Sequence, residues 1–112
     1  MKKVIKVPIF NSQLTVFQDE TLEKCVEQSG ITLNCSTENF NALTVYIRWG
    51  TIYLMFNEKS CTPGIIAHEA KHAVNYILTD IGQKLDNDND EFECYLLNWV
   101  VDELHKYLKL KQ

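Results

Sequence analysis

Two histidines one helical turn apart, His68 and His72, with Glu69 beside the first, are the residues of this sequence best suited to chemistry. On an α-helix, residues four apart lie on the same face. Both imidazoles can therefore reach one tetrahedral metal ion while Glu69 stands next to the coordination position the protein leaves open. A carboxylate there can take a proton from water, which hydrolysis requires. A purely structural metal site needs ligands and no base, so the glutamate favours catalysis.

The elements that must position these residues are legible on either side. Thr62 is a helix-capping residue, Pro63 suits the first helical position, where its missing N–H is not needed, and Gly82 supplies a stop. Between them Ile66, Ala70, Ala73, Ile77 and Ile81 recur as one apolar stripe, while His68, His72, Asn75 and Thr79 form a polar stripe on another face. The histidines are thus expected to point away from the buried side. The bland alternative is an ordinary amphipathic helix with two histidines satisfied by packing or hydrogen bonds.

A catalytic metal needs a third protein donor from a second element. Glu91 follows His72 by nineteen residues and opens another apolar-periodic helix. There Leu97, Val101, Leu104 and Leu108 form the apolar stripe, and Glu91, Tyr95, Asn98, Asp102 and His105 the polar one. Glu93 is the rival. It lies about 200° around the helix from Glu91, so the two cannot face one metal together, and Glu91 is favoured. His105 stands roughly 21 Å further along the helix and cannot serve the same ion. Cys61 and Cys94 are near enough in sequence to approach the metal. With Cys25 and Cys35, however, they show no C-x-x-C spacing and read as reduced, mostly buried thiols.

H-E-x-x-H followed about twenty residues later by a glutamate in an E-x-x-small-polar setting, here Glu91-Phe92-Glu93-Cys94-Tyr95, resembles the gluzincin class of zinc metallopeptidases. More narrowly, Gly64-Ile65-Ile66-Ala67-His68-Glu69-Ala70-Lys71-His72-Ala73, with Asp90-Glu91 and Cys94-Tyr95-Leu96, resembles small metallopeptidase-like proteins encoded by phages. The resemblance spans about residues 50–105, and only the motif residues are specific. It implies a Zn2+ ion held by His68, His72 and Glu91, with Glu69 as general base, and a peptide or protein substrate. A phage or host protein is the partner it suggests.

In larger gluzincins an aspartate often stands four residues after the third ligand and orients a zinc histidine. This chain has Tyr95 there, whose phenol pulls less strongly on an imidazole proton. With few residues beyond the glutamate helix, no further lobe is expected to stabilise an oxyanion, which leaves Tyr95 and Tyr76 as the nearest candidates. The alternative reading is a non-catalytic or regulatory phage accessory or virion protein that retains the zinc site or its remnant.

At 112 residues and 46% hydrophobic, the chain suits one domain with one core. A net charge of −4 and the lack of a basic stripe argue against nucleic acid. Lys6 and Pro8 interrupt the N-terminal apolar run, so no signal peptide is expected. No run approaches the ~18 residues of a membrane span, and a cytoplasmic protein is expected.

Residues 3–10 and 14–18 read as strands around a turn at 11–13, with Pro8 marking an edge or ending regular pairing. Residues 19–29 read as a short helix capped by Asp19 or Thr21 and stopped by Gly30, and 31–41 as an irregular loop. From Leu43, Leu43, Val45, Ile47 and Trp49 alternate with Thr44, Tyr46 and Arg48. Gly50 turns this strand into one carrying Ile52, Leu54 and Phe56. The expected fold is α+β: a small, mostly antiparallel sheet, two long packed helices carrying the metal site, and one short N-terminal helix. If the last strand is open beside the metal, an extended peptide could add to it. Asp86, Asp88 and Asp90 alternate as in a calcium loop but lack an EF-hand's glycine and distal glutamate; they read as a polar connector.

Overall fold

The computed structural model describes all 112 residues. It contains four strands, β1 (Lys2–Lys6), β2 (Gln13–Asp19), β3 (Ala42–Arg48) and β4 (Thr51–Asn57). Its three helices are α1 (Leu22–Ser29), α2 (Pro63–Asp80) and α3 (Glu91–Tyr107). This is the α+β class expected. The strand order is β1-β2-β4-β3; β1–β2 and β3–β4 are antiparallel and the central β2–β4 pair is parallel.

The sheet is therefore mixed rather than mostly antiparallel. Parallel neighbours need a long crossover, and α1 supplies it together with the irregular stretch after it and β3. An eight-residue helix is an inconspicuous signal for that role. The topology also removes the expectation that β4 receives a peptide, because β2 and β3 occupy both of its edges. The edge strand on that side of the sheet is β3.

Alternation along the strands sorts the core onto two faces. Leu14, Val16, Ile52, Leu54 and Phe56 pack with Ile66, Ala70, Ala73, Val74 and Ile77 of α2 and with Leu96, Val100 and Leu104 of α3. Phe17 and Met55 face the other way, onto Leu22 and Cys25 of α1. Each fully buried Leu, Ile or Phe contributes ~1.5–3 kcal/mol. No helix is long and apolar enough to cross a membrane.

Helix α2 has firm ends. Thr62 Oγ1 accepts from Ile65 N at 3.2 Å, with Pro63 at the first helical position. At the other end Gly82 adopts φ +75°, and the amides of Gly82 and Gln83 donate to the carbonyls of Thr79 and Leu78 at 3.0 and 2.9 Å. These paired bonds satisfy carbonyls the helix would otherwise leave free. Thr21 caps α1, and β1 ends at Lys6, short of Pro8. After α3, the Gln18 amide makes two hydrogen bonds to the main chain of Lys109, at 2.7 and 2.8 Å, tying the C-terminal segment across β2.

Candidate functional site

With Ile66, Ala70, Ala73 and Ile77 buried, the α2 helix turns His68 and His72 to its outer side. The His68 side chain is 65% exposed, and the two rings stand edge-on with centroids 5.0 Å apart. Glu69, one residue on, behaves differently, with a side chain only 8% exposed. It leans toward β3, where Thr44 Oγ1 donates to its Oε1 at 2.7 Å and lies 3.2 Å from its backbone oxygen. The other carboxyl oxygen, Oε2, is 3.8 Å from His68 Nε2, too long for a hydrogen bond. The result is a shielded carboxyl at the foot of an open imidazole pair.

These groups line a shallow pocket of about 210 Å³ together with Phe40, Ala42, Leu43, Thr44 and Tyr76. Tyr76 lies one turn after His72, and its ring centroid is 5.1 Å from that of Tyr46. The Tyr46 hydroxyl donates to Asp80 Oδ1 at 2.7 Å, and this bond raises the phenol pKa above its ordinary 10.0.

Helix α3 distributes its carboxylates unlike the sequence expectation. Leu96, Val100 and Leu104 define its buried face. At ~100° per residue, Glu93 falls among them and Glu91 on the opposite side. Glu91 is exposed, as is Tyr95 at 67%, one turn further along the outward face. The Glu93 side chain is 13% exposed and pairs with Lys71 of α2, whose ammonium also donates to Asn75 Oδ1 at 2.8 Å. Neither carboxylate joins the histidines, and no three His, Cys, Asp or Glu side chains gather where they could hold a metal ion. The fit to zinc is therefore incomplete: two imidazoles and the neighbouring carboxyl are in place, and a third donor is not.

The cysteines do not supply it. Cys25 and Cys61 are buried, whereas Cys35 and Cys94 are exposed, so only half match the expected burial. Burial pushes the Cys61 thiol up to about 11, disfavouring the thiolate that binds metals. The Cys94 thiol is raised by desolvation and then by the carboxylates of Asp90, Glu91 and Glu93.

Thr44, Lys71 and Phe40 escaped the sequence reading. Thr44 sits in the polar half of the β3 alternation, and that half faces α2. Lys71 occupies a variable position of the motif, where only its four-residue spacing from Asn75 hints at a helix-surface partner. The chain matches no protein-family model, no curated protein and no solved structure.

Proposed function

We propose that this protein is a zinc-dependent peptidase in which His68 and His72 bind the metal and Glu69 is the general base. One observation carries the reading: a buried glutamate, oriented from the sheet, adjoins two exposed imidazoles on the same helix. Zinc, when bound, supplies Lewis acidity toward water and a carbonyl oxygen. Glu69 Oε2 takes the proton of the attacking water and returns it to the leaving nitrogen, while Oε1 stays on the Thr44 hydroxyl. Shielding from bulk water strengthens that hydrogen bond and keeps the proton within the site.

A peptide suits the surroundings. Ala42, Leu43 and Thr44 of the edge strand β3 line the pocket, and an extended backbone can pair with such an edge. Tyr76, in the pocket wall, is the better candidate to meet an oxyanion; Tyr95 faces outward. On this reading the third ligand has to be recruited from the first turn of α3, whose carboxylates do not reach the histidines in this structure. Sequence spacing favours Glu91, and helix phase favours Glu93.

Metal content of the protein purified without added metal or chelator tests this on wild type, Glu91→Ala and Glu93→Ala. About one zinc per chain, lost in one of the two variants, identifies the third donor. No zinc in the wild type, even when supplied, overturns the proposal. Glu69→Gln should retain the metal and lose hydrolysis.

The Lys71–Glu93 pair favours a second reading, a non-catalytic accessory or virion protein that acts by binding. An ammonium already neutralises the inward carboxylate. Function in the native host that survives Glu69→Gln would select this reading.

A further inference from the structure

We propose that Thr44 is the positioning residue of Glu69: its hydroxyl fixes one carboxyl oxygen and thereby reserves the other, Oε2, for proton transfer. The inference rests on the catalytic reading of Glu69 and assigns a role to a residue outside the motif.

A threonine hydroxyl has one proton to donate. At 2.7 Å that proton goes to Oε1; the Glu69 backbone oxygen, at 3.2 Å and already a helix acceptor, receives at most a secondary share. Thr44 is itself rigidly held. It pairs in register with Leu54 of β4, an internal strand. Its two neighbours on the same strand face are also anchored, Ala42 by burial and Tyr46 through its hydroxyl on Asp80. The branched Thr44 side chain has few rotamers of its own. The strand thus offers the glutamate a fixed donor.

The alternative partner is close. His68 Nε2 stands 3.8 Å from Oε2, and a modest torsion of a glutamate released from Thr44 would bring the two into contact. That pairing would engage an imidazole nitrogen needed for the metal and turn the base away from the pocket. The Thr44 bond prevents both.

The test uses the isotopically labelled full chain, metal-free, as wild type, Thr44→Val and Thr44→Ser. Three-bond couplings and side-chain relaxation of Glu69 report its rotamer directly. Wild type and Thr44→Ser should show one rotamer. Thr44→Val, close in shape but without the donor, should show averaging, with the side-chain order parameter falling below ~0.6. A Glu69 that keeps its wild-type rotamer in Thr44→Val overturns the proposal, because packing alone would then orient it. Thr44→Ala provides the same comparison if Thr44→Val does not fold. Rescue by serine separates positioning from general stability, which a melting temperature cannot do. Zinc uptake by the wild type is measured in parallel. Its failure would refute the metal reading while the rotamer result still decides the role of Thr44.

Discussion

Lys71 on α2 and Glu93 on α3 form an ion pair between the two long helices, and Asn75 Oδ1 shares the same ammonium at 2.8 Å. Its two ends are unequal, with the lysine side chain 42% exposed and the glutamate 13%. Lys71→Met leaves a mostly buried carboxylate unpaired, whereas Glu93→Gln leaves a lysine free to swing into water. The first change should therefore cost more stability than the second, with a coupling of ~1 kcal/mol in a double-mutant cycle followed by urea unfolding. On the proposed metal reading, the helix phase predicts tighter zinc binding in Lys71→Met, abolished by adding Glu93→Gln. If the protein binds zinc as proposed, unchanged affinity in Lys71→Met would exclude Glu93 as the third donor.

Much of the fold can be read from local signals, and the losses have physical causes. The span of α2, its cap and its stop follow from Thr62, Pro63 and Gly82, because capping is chemistry between near neighbours. The histidine face follows from the 3.6-residue period. The phase of α3 is less legible. Its start is not marked by a side-chain cap, since Asp90 makes no such bond, and the first turn carries two carboxylates of equal helix preference. Choosing between Glu91 and Glu93 needs the buried set Leu96, Val100 and Leu104, whereas the sequence stripe centred on Leu97 and Val101 is rotated by one position. The parallel β2–β4 pairing and the Thr44–Glu69 bond are contacts between distant segments that no local pattern encodes.

The turn between β3 and β4 joins three parts of the molecule at Gly50. Its amide donates to Asp80 Oδ2 at 2.9 Å, and its carbonyl accepts from Gln13 N at 2.8 Å. The residue has φ +78°, and an added Cβ would stand 2.6 Å from the backbone oxygen of Asn11. Gly50→Ala must both strain its own dihedral and displace a main-chain carbonyl, so a loss of ~2–4 kcal/mol is expected from denaturant unfolding.

Asp80 is the other half of that junction. Its carboxylate accepts from Tyr46 and Gly50, and its backbone oxygen accepts from the Trp49 indole at 3.0 Å. Asp80→Ala should lower the melting temperature by ~5 °C. Asp80→Asn should bring the Tyr46 phenol back toward its ordinary value in an ultraviolet titration. An unshifted Tyr46 titration in wild type would contradict the bond.

Cys61 lies just before α2, fully buried, with its thiol pushed from 9.0 up to about 11 by burial. The raised value fixes the sign of its effect. Below pH 9.0 both folded and unfolded chains keep the proton and the contribution is fully present. As pH rises from 9.0 through about 11, the unfolded chain ionises first and the folded state loses that advantage. The interval corresponds to at most ~3 kcal/mol. Urea unfolding across pH 8 to 11 should show wild-type stability falling in this window. Cys61→Ala should start lower at pH 8, from the small cavity it creates, and decline less steeply. Parallel curves for the two proteins would mean that the Cys61 thiol is not held protonated by the fold.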